Sequence, residues 1–510
     1  MTKEKRSAES IRFWVAIAVI LLFVFLGKGN AFADDVKTAE CGIDAVSYKM
    51  NLSLDTEKDR LKETVTVKVR NNTDKPVTEL VLRDMTPAIL KLDKSLDQEN
   101  NKGKKTKVTS VTLKGSKKQL SVKYSKGKTV LRVKLGKKGT IAPGKTGSIV
   151  IKLRTDIPYR QDRYGFQKTK DGKVYALSFC FPYLADNING KWQLDPFFDD
   201  GESRSWDIAD YNVTFKAPEE FKVAASGTNT TSKGVTKIKA ENMRDFAIFA
   251  SDFMKKDSFE VKGIRVNSYY LDGSKSKAKY RKIVKSVARD SINLYTEEIG
   301  DYIYDELDIV PGLFGFGFGG MEYPGLIMTN ATSFYDGSFC DPWSLSDGVS
   351  HEIGHQWFYA AVGNREYREG WLDESFTTYL EKDVYGLALT DSYEYLRQID
   401  DIFPSLDDSY KAREEVIDYA REGYKKYYVN VSPDKYPKGQ EYGVAEYEEG
   451  YAFLEEVREQ LGDEAFGNFI KEYYETYCMK RVTTKDVVKL IRKYDGSEEM
   501  NDIISFYVKE

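Results

Sequence analysis

Between residues 46 and 254, apolar and polar side chains alternate in short runs separated by turn residues. The runs 48–54 (YKMNLSL), 64–70 (TVTVKVR), 131–135 (LRVKL) and 148–153 (SIVIKL) put every second side chain on one face, which is the period of a strand with one side on a core. Asn71-Asn72, Pro143-Gly144 and Gly227-Thr228 punctuate the runs, and breaks at such intervals suit an antiparallel β-sandwich. After Ser274 the period lengthens. Residues 279–299 carry Ile283, Val287 and Ile292 at helical spacing, and helical stretches dominate from there on. The chain therefore reads as multidomain α+β, with an N-terminal all-β domain over 34–270 and a mainly α domain over 271–510. With no internal repeat and no low-complexity linker, the junction near residue 270 is expected to be a packed interface.

Residues 1–33 stand outside this pattern. Lys3, Lys5, Arg6 and Arg12 precede the apolar run 15–26, and Ala31-Phe32-Ala33 supplies small residues before Asp34. This is the pattern of a cleaved signal peptide. The apolar run, about 12 residues, is shorter than the roughly 20 that span a bilayer, and the alternative is an uncleaved anchor. The mature chain is expected to be secreted or extracytoplasmic.

Composition narrows the partners. The 77 basic and 80 acidic side chains of this 510-residue chain sum to a charge of −3, so no whole-molecule cationic field recruits nucleic acid, and none is expected as a partner. Locally, residues 100–155 hold no Asp or Glu while Lys and Arg recur. That basic band is either a set of solvated strand faces or a weak contact with an anionic cell-envelope surface. Cys41, Cys180, Cys340 and Cys478 could form two bridges in any of three pairings. Oligomeric state is not legible.

Only two histidines occur, and both lie in His351-Glu352-Ile353-Gly354-His355. On a helix this H-E-x-x-H spacing puts both imidazoles on one face with Glu352 beside them, the arrangement that binds zinc and supplies a general base. Ser344 or Ser346 is expected to cap that helix and Gly363 to end it. Catalytic zinc takes three protein ligands, and no histidine remains for the third. The candidate is Glu374 in Trp371-Leu-Asp-Glu-Ser-Phe-Thr-Thr-Tyr-Leu-Glu381, read as the next helix, with Glu381 and Asp373 as alternatives.

HEIGHQWF, the WLDESFTTYLE that follows and Gly319-Gly-Met-Glu-Tyr-Pro-Gly325 upstream together resemble the aminopeptidase N family of gluzincins, peptidase family M1. The resemblance extends to residues 48–54, 71–72, 142–144, 211–215 and 224–227, which are similar to that family's saddle-like N-terminal β domain. It implies a thermolysin-like catalytic domain, one Zn2+ held by His351, His355 and Glu374, and Glu352 as general base. It adds Tyr447 as the hydrogen-bond donor to the oxyanion, with Tyr442 as the fallback. Gly319, Gly320, Met321 and Glu322 correspond to the family's substrate strand, whose glutamate holds the free amino group of a peptide. Tyr323 stands where the motif usually has Asn, and Glu449 where a Lys is usual. The stretch 178–183 has no glutamine of the kind that often assists amino-terminus binding. The short stretch after Tyr447 implies that the helical arm of many members is missing. The function expected is a zinc aminopeptidase acting on peptides. The alternatives are a zinc endopeptidase on the same scaffold and a non-catalytic envelope-binding protein.

Overall fold

The alternating runs lie in the strands Ile43–Asp55, Arg60–Asn71, Val130–Lys134 and Thr146–Asp156. The structure, a computed structural model, describes residues 42–509 apart from 126, 200, 202–205, 316–318, 339–340, 400–402, 425–427 and 437–441. The expected signal segment 1–33, together with Cys41 and Cys340, lies outside the described residues. Cys180 and Cys478 are free thiols. No helix of the described residues is long and apolar enough to cross a membrane.

Along Arg60–Asn71, Leu61, Val65, Val67 and Val69 are buried while Lys62 and Lys68 face solvent, so alternation in the sequence becomes a two-faced sheet. That sheet has seven strands in the order Thr228–Ser232, Val235–Met243, Ala209–Lys216, Ile43–Asp55, Arg60–Asn71, Thr146–Asp156 and Thr106–Leu113. Its pairs are antiparallel except Ile43–Asp55 with Ala209–Lys216. Two four-stranded sheets share its inner core. Aromatic rings fill that core, with Tyr48 stacked on Tyr211 at 5.1 Å between centroids and Tyr183 on Trp206 at 4.6 Å.

A five-stranded sheet follows, in the order Met254–Val261, Ile264–Leu271, Glu306–Gly312, Leu326–Asn330 and Gly320–Met321. It takes strands from both sides of residue 270, and its outermost strand, Gly320–Met321, pairs antiparallel with Met328 and Thr329. The helix Lys277–Glu298 buries Ile283, Val287 and Ile292 as their spacing predicts. Against it packs the helix Pro342–Gly354, which carries the first histidine. Buried hydroxyls pin the two together: Tyr295 Oη lies 2.6 Å from Ser350 Oγ, and Ser291 Oγ donates to it at 3.2 Å. The remainder is mainly helical, including Trp371–Tyr379 with a π-helical continuation Leu380–Tyr385, then Leu406–Tyr419 and Gly450–Leu461.

Polar contacts lock the helical region to the β sheets. Arg481 donates to Asp186 at 3.0 Å and lies 3.7 Å from Asp207, and Arg244 donates to the carbonyls of Tyr359 and Lys480. Desolvation pushes the Asp207 carboxyl up to about 7; Arg481 opposes this, and Asp186 and Asp44 add to it. A carboxyl raised in the folded state binds a proton there that the unfolded chain has released, so its contribution to stability falls as pH rises from about 4 to 7. Arg481→Gln should therefore destabilise by about 2 to 4 kcal/mol at pH 8, where the carboxylates lose their cation, and by less at pH 5. Thermal or urea unfolding at the two pH values measures this. An equal loss at both would assign Arg481 to packing alone.

Candidate metal centre

The helix Pro342–Gly354 starts with Pro342 and is capped by Asp341, whose carboxylate accepts from the Trp343 N–H at 3.0 Å. Neither expected serine caps it. Ser344 donates to Asp341, and Ser346 Oγ lies 2.9 Å from Tyr385 Oη. The helix also stops nine residues before Gly363, with His355 as its last half-turn. There the chain tightens, the Ala360 N–H reaching the His355 carbonyl at 2.9 Å and Tyr359 taking φ 129°. Gly363 instead makes room for a side chain from the β region, since a Cβ there would lie 2.1 Å from the Arg244 guanidinium carbon. The early stop brings the Phe358 carbonyl to 3.1 Å from His355 Nδ1.

Three donor atoms converge. His351 Nε2 lies 3.1 Å from His355 Nε2, and Glu374 Oε2 lies 3.2 Å from the first and 3.3 Å from the second. Tetrahedral zinc with bonds of about 2.0–2.1 Å holds its donors roughly 3.3 Å apart, so the set fits that ion. Each imidazole is oriented through its other nitrogen: His351 Nδ1 lies 2.9 Å from Glu381 Oε2, and His355 Nδ1 meets the Phe358 carbonyl and Thr377 Oγ1, both at 3.1 Å. These outer partners turn the Nε2 lone pairs inward. Of the alternatives to Glu374, Glu381 contacts the far side of His351, and Asp373 accepts from Asn364 at 2.9 Å.

The electrostatics suit a cation. Burial opposes charge on His351, but the Glu374 and Glu381 carboxylates overcome it and hold the imidazolium well above its usual range. Burial likewise opposes ionisation of Glu374, and His355 and His351 reverse this, keeping the carboxyl well below its usual range. Without metal, a proton takes the place of the ion.

Around this centre the other candidates gather. Glu322, Glu352 and His355 form a second buried group whose ligand atoms all lie within 4.8 Å of one another. Gly320 lies directly against Glu352, since a Cβ there would be 2.5 Å from Glu352 Oε1 and 2.6 Å from the Met328 carbonyl. Gly319 is exposed beside it, and Met321 is buried. Tyr323 is fully buried in the cluster of Met321, Leu326 and Met328. The Tyr447 ring stacks on His351 at 5.7 Å, from a π-helical segment, Val444–Glu449. Tyr442 packs instead against Phe198 and Tyr436. Sequence reasoning missed Gln356. Its amide accepts from the Gly325 N–H at 2.9 Å and donates to the Tyr323 carbonyl at 3.2 Å, tying the turn after Glu322 to the histidine segment. Its position next to His355 was the available signal.

Zinc uptake by metal-free protein should release protons and weaken as pH falls, which calorimetry in buffers of different ionisation enthalpy will measure. Glu374→Ala should lose most of the metal, Glu381→Gln should weaken zinc binding by about 10- to 100-fold, and Glu352→Gln should leave it unchanged. Loss of zinc from Glu352→Gln would make that residue a ligand.

Residues 286–508 match the family model described as the peptidase family M1 domain. Rat aminopeptidase B is 27% identical over 205 residues, 38% of this chain and 28% of that protein. Leukotriene A-4 hydrolase of Xenopus laevis is 28% identical over 204 residues, 39% of this chain and 31% of that protein. The matches thus span less than a third of these relatives. The M1 zinc metallopeptidase of Deinococcus radiodurans superposes with a TM-score of 0.63 at 16% identity, covering 92% of this chain and 94% of that one. Yeast LTA4 hydrolase superposes at 0.61 with 16% identity, over 93% of this chain and 69% of that one. A β domain followed by a helical region is the architecture these structures share with it, and the stretch 286–508 that matches the M1 family model contains the helices that bring the two imidazoles and Glu374 together, a donor set that fits zinc.

Proposed function

We propose that the protein is an exported zinc aminopeptidase, removing residues from the amino terminus of peptides. The observation that carries the reading is Glu322, a buried carboxylate within 4.8 Å of both Glu352 and His355, where the ammonium group of a substrate held at the metal would find its counter-ion. The pattern of residues 1–33 supports export. The rat relative is named as an aminopeptidase, and a variant of the Deinococcus enzyme, TM-score 0.60 and 16% identical, is described as bound to the substrate Tyr-Ser-Ala.

Bound zinc supplies Lewis acidity, making water nucleophilic near neutral pH. Glu352 takes the proton of the attacking water and returns it to the leaving amine. Tyr447, beside His351, donates a hydrogen bond to the oxygen on which charge develops. The strand Gly320–Met321 lies at the edge of its sheet among the described residues, where an extended peptide would add alongside it, and the lack of a side chain at Gly320 lets that peptide lie against Glu352.

Tyr447→Phe should keep zinc and KM while kcat drops by about 10² to 10³; an unchanged kcat would remove the tyrosine from the chemistry. Free-amine substrates should exceed their N-acetylated forms at least about tenfold in kcat/KM, because a blocked terminus leaves Glu322 desolvated without its cation. Glu322→Ala should shrink that ratio. Equal cleavage of blocked and free peptides would replace the aminopeptidase by the endopeptidase and leave the zinc chemistry standing.

A further inference from the structure

Strand register assembles a charged surface that no single stretch of sequence contains. On the outer face of the seven-stranded sheet, one row across the strands runs Ser232, Val235, Lys216, Ser53, Lys62, Arg154 and Lys107. The next row is Thr230, Lys237, Thr214, Asn51, Thr64, Lys152 and Ser110, and the third is Thr228, Lys239, Asn212, Lys49, Thr66, Val150 and Thr112. These three rows contain eight cations and not one acid. With 77 basic and 80 acidic residues in the chain, eight charges drawn at random would all be basic about once in 300 cases. The acids sit beyond the patch: Asp55 and Asp156 flank Arg60 on one side, and Asp210 and Glu241 lie on the other, the latter pairing with Lys239 at 2.8 Å. A groove of about 590 Å³ lies on this face, with Lys62, Lys152, Arg154 and Lys216 among its walls and the buried Glu63 as the one acid that lines it.

We propose that this face binds a linear polyanionic glycan, a chain of sugars or polyols bearing phosphate or carboxylate at regular intervals. Charge complementarity argues for the anion. In the first row Lys216, Lys62, Arg154 and Lys107 span about 19 Å at the roughly 4.8 Å spacing of neighbouring strands, a distance that engages successive charges of an extended polymer and relieves the mutual repulsion of the cations. The rest of the face argues for a glycan. Eleven of the positions named are Ser, Thr or Asn, which exchange hydrogen bonds with hydroxyl groups. None is aromatic, so bases have nothing to stack on. Val150 and Val235 are the two apolar positions, too few to enter a bilayer. The surface is separate from the metal centre, and the inference does not depend on the peptidase reading.

The test measures binding of the whole protein to poly(glycerol phosphate) and to polygalacturonate, with dextran, phosphatidylglycerol vesicles and duplex DNA as comparisons. One variant combines Lys62→Gln, Lys152→Gln, Arg154→Gln and Lys216→Gln. A control of equal charge combines Lys285→Gln, Lys471→Gln, Lys485→Gln and Lys489→Gln, all exposed in the helical region. The wild type should bind at least one of the two polyanions, and more weakly as salt rises. The sheet variant should lose at least about tenfold in affinity while the control stays within about twofold, and peptidase activity and Tm should be unchanged in both. Equal weakening of both variants would reduce the effect to net charge and overturn the proposal. Absence of binding to either polyanion at about 20 mM salt, or tighter binding to vesicles or DNA, would overturn it as well.

Discussion

Two imidazole nitrogens and a carboxylate oxygen held within 3.3 Å of one another form an arrangement that only a cation or a proton can neutralise, and the helical region is organised around keeping them there. Helical spacing brings two of the donors together. The third, 23 residues beyond His351, arrives on another helix, so its approach depends on packing. Tyr295 and Ser291 fix the first helix through Ser350, and the π-helical continuation after Tyr379 carries Glu381 to the far side of His351.

Glu374, Glu381, Glu352 and Glu322 crowd this small volume, and their roles differ because their neighbours differ. Glu374 faces both Nε2 atoms, Glu381 faces Nδ1 of His351, and Glu352 and Glu322 group with His355 next to the glycine strand. Gly320 lies against Glu352 without adding bulk there. Gln356, the residue after His355, hydrogen-bonds the turn that follows Glu322. A displacement of the metal ligands would therefore move the candidate base and ammonium site with them.

The β sheets divide their labour by face. The inner faces share an aromatic core and hold the helical region through Arg481 and Arg244. The outer face of the large sheet collects Lys and Arg from residues far apart in the chain, which antiparallel pairing lines up into rows.

Much of this was legible in the sequence because it rests on local period. Alternation marks strands, the spacing of Ile283, Val287 and Ile292 marks a buried helix face, and an interval of four residues obliges His351 and His355 to share one side of a helix. Features that depend on long-range contact were not legible. Glu374, Glu381 and Asp373 are all acids on one helical stretch, and only the way that stretch packs decides which meets the imidazoles. The helix ends at Gly354 because of a tertiary turn buried around Arg244, a residue more than a hundred positions away. Of the basic band read over 100–155, Lys107, Lys152 and Arg154 join a wider surface reaching from Lys49 to Lys239. Local period determines which side of an element a residue faces, whereas packing and strand register determine which distant residues it meets there.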